Sequence, residues 1–285
     1  MKIKLLAFLE IILVYVVVRL IGAWLRSTGV TANELETLGW SYSGMAIFVL
    51  VPALTILLAR RSWAEYGVTL ADWPTNLDIG IKAYLVRIIS VGGLMLALWM
   101  GLGYKEIPGG TLIALCDVIA IALMLWLLNR QKPVASGRSN LIVIGLLFLF
   151  PILVALALGK PSLLIVSTVV WQFFFSGFGE EFIWRGYLQT RLNQVFGKPF
   201  QIAGIQFGWG LILASLLFGL FHAFNTYDSS IGFASLSWGW AIFTTTGGLF
   251  FGLIREKTNS LLACGIAHGL PDAVGEALSQ IFGWM

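Results

Sequence analysis

Long apolar runs follow one another along almost the whole chain, and they constrain the fold more than any other feature. Of the 285 residues, 58% are hydrophobic and only 11% are charged, whereas a soluble domain has about 25% charged residues. A membrane-spanning helix needs roughly 20 apolar residues. The runs therefore predict an all-α polytopic transmembrane helical bundle of about eight or nine spans, with no room for a separate soluble domain.

The predicted spans follow the apolar runs in order. They cover about residues 3–25, 41–59, 79–103, 111–128, 141–158, a sixth run from 162 into a pair of glutamates, 202–224, 236–254 and 260–282. We expect residues 1–285 to form a single integral membrane domain, in which residues 1–160 supply scaffold spans. Beyond the glutamates, an amphipathic pattern predicts that the sixth helix continues until Gly197 and Pro199 end it.

The positive charges are placed as a topological signal. The net charge is +4, but Lys and Arg are scattered over loops and helix ends, which argues against a nucleic-acid partner. By the positive-inside rule, the N-terminus and the connection after the sixth span are predicted to be cytoplasmic, in the cell membrane. The alternate connections that collect the basic residues hold Lys2 and Lys4, Arg60 and Arg61, Arg130, Lys132 and Arg138, Arg185, Arg191 and Lys198, and Arg255 and Lys257.

Two adjacent carboxylates and an arginine lie directly after one of the most apolar runs. Glu180 and Glu181 follow residues 162–178, which contain no charge, and Arg185 comes soon after them. A helix that continues through these residues carries them into or near the hydrocarbon region of a bilayer. Charge in that region is costly and usually functional.

The two histidines of the chain both fall in later apolar spans. Counted outward from the turn near Pro199, Glu180 and His222 are about equally far along neighbouring antiparallel helices, which predicts a similar depth. His268 and Asp272 are four residues apart and share one face of the last helix. A cavity that holds these four side chains offers a base, a water-positioning group and donors for an oxyanion. These are the catalytic groups that hydrolysis of a carbonyl bond requires.

Three short motifs in these helices resemble the signature of the CPBP intramembrane proteases. This family includes the type II CAAX prenyl endopeptidases and the bacteriocin-processing or self-immunity (Abi-like) proteins. The motifs are EEFIWRG at 180–186, FGLFH at 218–222 and HGLPD at 268–272. They stand in the family's order, and the resemblance covers about Val166 to Ala277.

The resemblance implies a helical bundle that encloses a catalytic chamber. In this chamber Glu180 and His222 activate water for attack on a peptide carbonyl. His268 and the residue four positions further on stabilise the oxyanion. By the same resemblance, Glu181 pairs with Arg185 on another side of the helix, and the two support the site.

One position departs from the family pattern. The family more often has Asn where this chain has Asp272, and an ionised Asp carries acceptors but no donor. Asp272 is therefore expected either to be protonated or to orient His268. In the second case, another group supplies the donor for the oxyanion.

The predicted function is an intramembrane endopeptidase that acts without a metal on a membrane-associated peptide or protein, prenylated or leader-bearing. A zinc-dependent version is an alternative, with Glu180, His222 and His268 as ligands and the catalytic water in the fourth position. No His-Glu-x-x-His helix is present in the sequence to favour it. Two further alternatives are an ion- or proton-coupled transporter and a non-catalytic immunity or scaffold protein that retains the motifs.

Overall fold

The chain folds into a bundle of helices, which confirms the predicted fold class. The computed structural model describes residues 2–284. Its helices are α1 (Lys2–Ser27), α2 (Val30–Leu38), α3 (Tyr42–Leu58), α4 (Trp73–Trp99), α5 (Ile107–Arg130), α6 (Arg138–Ala157), α7 (Leu163–Val170), α8 (Thr190–Phe196), α9 (Trp209–Ala223), α10 (Trp238–Thr258) and α11 (Leu262–Phe282).

The protein is an integral membrane protein by the length and composition of its helices. Within residues 2–284, six helices are long and apolar enough to cross a membrane, and α3 is a shorter apolar helix. One of the six runs without a break from Leu163 to Phe196. We call it the glutamate helix, and α7 and α8 are its two ends. The helices α10 and α11 have 21 residues each and occupy the last two predicted spans.

The start of the seventh span is predicted wrongly. Instead of a helix from about residue 202, Phe200–Ile202 (β1) pairs antiparallel with Ile205–Phe207 (β2), and α9 begins at Trp209. The two residues at the tip, Ala203 and Gly204, both have positive φ angles, 46° and 74°. Such angles suit a tight hairpin turn and do not occur inside a right-handed helix.

Two other helix boundaries differ from the prediction. The connector between the first two spans contains the helix α2, whose nine residues include none that is buried. The third span begins at Trp73 rather than near Ile79. Pro74 lies in the first turn of this helix, where the missing N–H breaks no helical hydrogen bond, so the helix can begin earlier than the apolar run.

Glycines bring the glutamate helix against α11. A Cβ atom added to Gly177 would collide with the backbone of Gly269, and one added to Gly269 would collide with the backbone of Phe173. Small residues allow helices in a membrane to approach backbone to backbone. This contact sets the glutamates of one helix beside the histidine of the other.

Basic residues gather at one end of the bundle, which we call the basic end and define by Lys4, Arg61, Arg191, Lys198 and Arg255. Lys4 Nζ lies 4.9 Å from the centroid of the Phe196 ring at the end of the glutamate helix. Lys198 pairs with Glu256 near the end of α10 at 2.6 Å. The start of α1, the end of the glutamate helix and the end of α10 therefore lie together.

Glu10 connects α1 to this end of the bundle. Arg61 donates to both of its oxygens at 2.6 Å, Tyr187 donates to Oε1 at 2.9 Å, and Arg191 Nε donates to Oε2 at 3.1 Å. The hydrogen bonds with Glu10 raise the pKa of the Arg61 guanidinium above its usual range. The charge of Glu10 inside the first span is thus fully compensated, as a carboxylate in an apolar helix requires.

Candidate active site

The glutamate helix widens where its carboxylates lie. Between α7 and α8 the backbone is π-helical from Trp171 to Glu180 and again from Phe182 to Gln189. In a π-helix each N–H bonds to the carbonyl five residues back instead of four, and such turns are rare and frequent at functional sites. Side chains in this stretch are distributed around the helix differently from those of an α-helix.

Glu181 joins the glutamate helix to α11. Arg185 Nη1 donates to Glu181 Oε1 at 2.9 Å, and His268 Nδ1 lies 2.9 Å from the same oxygen. Glu181 is 0% exposed and Arg185 is 1% exposed. The expected pair of Glu181 with Arg185 is present, but its expected position on another side of the helix is wrong. The wide turns and the close approach of α11 direct Glu181 to His268.

The Glu180 carboxylate has fewer hydrogen-bond partners than the Glu181 carboxylate. Its Oε2 atom is buried and has no hydrogen-bond partner among the described residues. Glu181 Oε2 and Arg185 Nη2 are also buried without a partner. An unsatisfied buried polar group costs about 1 to 3 kcal/mol, so a group of three calls for an explanation beyond packing.

The imidazole of His268 is fixed on three sides. Glu181 lies at Nδ1, Asp272 Oδ2 lies 3.4 Å from Nε2, and the Phe251 ring stacks on the imidazole at 4.7 Å. Carboxylate oxygens only accept hydrogen bonds, so the contacts with Glu181 and Asp272 each call for an N–H on His268. Asp272 is 40% exposed in its side chain. This geometry supports the expectation that Asp272 orients His268.

His222 enters from α9 with a defined ring orientation. Its Nδ1 lies 2.8 Å from the carbonyl oxygen of Phe218. Because a carbonyl only accepts, Nδ1 carries the proton in this contact, and Nε2 of the neutral ring is left as an acceptor. The Phe218 ring lies 4.5 Å from the His222 ring and 6.1 Å from the His268 ring. The two histidines therefore border the same aromatic side chain.

Sequence reasoning missed the aromatic groups that line the site. Besides stacking on His268, the Phe251 ring lies 5.4 Å from the guanidinium carbon of Arg185. Trp240 lies 5.6 Å from the His222 ring. Both belong to α10, a helix with no histidine and no motif of the family. Nothing distinguishes them in the sequence from other aromatic residues in an apolar helix.

Two of the three candidate zinc ligands, His222 and His268, have other partners in this arrangement. Both nitrogens of His268 face carboxylates, and Nδ1 of His222 faces a carbonyl. Over residues 2–284, no group of three or more His, Cys, Asp and Glu side chains is arranged to hold a metal. A zinc site with Glu180 as the third ligand would require His268 to leave one of its carboxylates.

Comparison with known proteins identifies the region that contains the site. Residues 161–274 match the model of the family described as Type II CAAX prenyl endopeptidase Rce1-like. This match confirms the resemblance to the CPBP intramembrane proteases and indicates a peptidase. A membrane protease implies a membrane environment and a peptide or protein substrate. No curated protein and no solved structure matches the chain.

Proposed function

We propose that this CAAX-type peptidase domain hydrolyses a peptide bond of a membrane-associated peptide or protein, prenylated or leader-bearing, through a water molecule activated by Glu180. One observation carries the proposal. The Glu180 carboxylate has a buried oxygen without a partner, and the next residue in the chain, Glu181, contacts Arg185 and His268. In an apolar bundle, a carboxylate in that state is costly, and water and substrate would satisfy it.

Glu180 acts as the general base in this mechanism. It accepts a proton from water while the water oxygen forms a bond to the carbonyl carbon of the substrate. His222 Nε2, left as an acceptor by the contact of Nδ1 with Phe218, positions the same water. Glu180 then gives the proton to the leaving nitrogen as the C–N bond breaks. The immediate products are a carboxylic acid and an amine, and Glu180 is again ionised.

His268 supplies the donor for the oxyanion. The carbonyl oxygen of the substrate replaces Asp272 at Nε2, since that contact is the longer of the two at 3.4 Å and Asp272 is partly exposed. The Glu181 contact at Nδ1 keeps the ring in place, as second partners of catalytic histidines commonly do. Arg185 in turn holds Glu181. Glu181, Arg185 and Asp272 are therefore positioning residues.

The orientation that we propose places the N-terminus and the basic end in the cytoplasm, with the protein in the cell membrane. Support comes from the concentration of Lys4, Arg61 and Lys198 at one end of the bundle, beside Glu10 and Glu256. Positive residues are enriched on the cytoplasmic side of membrane proteins. The residues 1–160 then act as a scaffold for the peptidase domain.

Comparative proteomics of membrane-associated peptides tests the proposed function. Cells that produce the wild type are compared with cells that produce Glu180→Gln or Glu276→Gln. Glu276 is a matched control, because it is a partly buried glutamate on the same helix as His268. We expect new peptide termini with the wild type and with Glu276→Gln, and their loss with Glu180→Gln. Identical termini in all three samples would overturn the protease function.

The same comparison separates the remaining alternatives. A non-catalytic immunity or scaffold protein would keep its cellular effect in the Glu180→Gln variant, whereas a protease would lose it. For the metal-free mechanism, we expect cleavage by the purified protein to persist after chelation. Stoichiometric zinc together with chelator-sensitive cleavage would replace it with the zinc-dependent version.

A further inference from the structure

A polar cavity lies at the basic end of the bundle, away from the histidines. Its volume is about 270 Å³. Three parts of the chain line it: the loop after α3, the last turns of the glutamate helix and the end of α10. The volume is just below the range of about 300 to 1,000 Å³ for small-molecule pockets, which suits a small ligand or a head group.

Arg255 is a buried cation in the wall of this cavity. It is only 6% exposed. Its Nη2 atom donates to the carbonyl oxygen of Glu65 at 2.8 Å and lies 3.4 Å from Thr190 Oγ1, while its Nε atom is buried without a partner. Within residues 2–284, no carboxylate forms an ion pair with it. By contrast, Arg185 has a carboxylate partner within its own helix.

The acidic residues of the cavity make no direct ion pair with Arg255. Glu256 is held by Lys198 at 2.6 Å and also accepts from Gln189 at 2.8 Å and from Asn193 at 2.6 Å. Glu65 is exposed, and its carboxylate accepts from a neighbouring glutamine side chain instead. A buried charge normally has a counter-ion. The guanidinium of Arg255 has none among the described residues, and an anionic ligand would supply it.

We propose that this cavity binds an anionic phosphate group, carried by a lipid head group or free in solution, with the Arg255 guanidinium as its counter-ion. Guanidinium groups are well suited to phosphate, because they present several N–H donors in a planar fork. The cavity lies where the glutamate helix and α10 end, and the ends of membrane-spanning helices are the parts that approach lipid head groups. Gln189 and Thr190 belong to both the cavity wall and the glutamate helix, so the bound group would steady that helix.

Thermal unfolding of the full-length protein in detergent tests the proposal without any assay of cleavage. The probes are sodium phosphate, with chloride at equal ionic strength as reference, and phosphatidylglycerol added to the micelles, with a neutral diacylglycerol as reference. We expect a phosphate-bearing probe to raise the midpoint of unfolding of the wild type. A response to the lipid alone assigns a lipid head group, and a response to inorganic phosphate alone assigns a soluble ligand. No response to either probe would overturn the proposal.

Matched variants locate the site. Arg255→Gln is expected to weaken binding of the active probe about ten-fold or more, since hydrogen bonds to charged groups contribute about 1.5 to 3 kcal/mol. Lys257→Gln removes the same charge from the same end of α10, but Lys257 is exposed and lies outside the cavity wall. We expect it to bind as the wild type does. An equal loss in both variants would mean non-specific attraction and would refute the site.

A third variant keeps the test decisive if Arg255→Gln does not fold. Glu65→Gln removes an exposed carboxylate from the cavity wall, where it repels an anion. Because Glu65 is exposed and only its backbone carbonyl contacts Arg255, the variant is expected to fold normally. It should bind the active probe more tightly than the wild type, by a few-fold. Unchanged or weaker binding would contradict an anion in this cavity.

Discussion

Two arginine–carboxylate pairs in the bundle have a fully buried carboxylate, and they differ in how completely their polar atoms are satisfied. In the N-terminal part of the chain, Arg87 of α4 donates to Asp117 Oδ1 of α5 at 2.6 Å. Ser90 donates to the same oxygen, and Thr246 of α10 donates to Oδ2 at 2.8 Å. Both oxygens of this carboxylate therefore have partners, and the cluster ties three helices together.

The pair in the peptidase domain is incomplete. Arg185 and Glu181 bond through one atom each, and the second nitrogen and the second oxygen are buried without partners. Glu180, next in the chain, also has an unpartnered buried oxygen. The comparison teaches that a buried ion pair alone does not indicate chemistry, because ion pairs also serve as structure. Unsatisfied polar atoms beside it mark a place where water or a group of a ligand would be stabilised.

The largest effect is expected from Glu180→Gln. Loss of the general base should lower the turnover of a prenylated reporter peptide by about 10² to 10⁴-fold. The buried oxygen of Glu180 has no partner to lose, so the free energy of unfolding should stay within roughly 0.5 kcal/mol of the wild type. Steady-state kinetics and chemical denaturation in detergent measure the two quantities. Full turnover in this variant would remove Glu180 from the mechanism.

Glu181→Gln should damage stability as well as turnover. It leaves the Arg185 guanidinium buried without an opposite charge, which typically costs about 3 to 5 kcal/mol. Denaturation measures this loss, and Glu181→Gln combined with Arg185→Met is the control that removes the unpaired charge. We expect the double variant to regain stability but not activity, because His268 still lacks the Glu181 carboxylate at Nδ1. Recovery of activity would show that the pair is only structural.

Asp117→Asn tests the Arg87–Asp117 pair with the same change of charge. It should lower the free energy of unfolding by about 1 to 3 kcal/mol, as the partner groups of a buried carboxylate lose part of their hydrogen bonding. Turnover per folded molecule should equal that of the wild type. A large fall in turnover with an unchanged fold would erase the distinction between the two pairs.

Asp272→Asn is expected to have the smallest effect among the changes within the candidate site. An Asn side chain retains an oxygen that can face His268 Nε2 and adds an N–H donor. Turnover should therefore stay within about ten-fold of the wild type, which is less than the loss of a general base produces. Kinetics over a range of pH give the test. A fall as large as that of Glu180→Gln would make the charge of Asp272 essential.

The sequence predicts the helices well because apolar length alone determines where a chain crosses a membrane. It also selects Glu180, His222 and His268 as candidate site residues, since polar groups in apolar spans are few. It does not predict which face Glu181 occupies. The resemblance implies that Glu181 lies on another side of the helix, whereas in the structure, where the helix has π-helical turns from Trp171 to Gln189, Glu181 contacts His268.

Other misses have different physical causes. The hairpin at 200–207 is stabilised by its own turn. In the sequence, however, its residues resemble the start of an apolar span. Phe251 acquires its place beside His268 only through the packing of α10 on α11, which no local pattern reports. Tertiary contacts of this kind determine side-chain neighbours, while local periodicity determines only the helix that carries them.

The ion pairs of Glu10 with Arg61 and Arg191 form in a fixed order during synthesis of the protein. Arg61 is separated from Glu10 by 51 positions, and Arg191 by 181 positions. At about 5 to 20 residues per second, on the order of ten seconds pass between the synthesis of the two arginines. Of the two arginines, only Arg61 is available to neutralise Glu10 during that interval, as the first helices enter the bilayer. Arg191 then fastens α1 to the glutamate helix, so this contact of the earliest span forms only after that helix has been made.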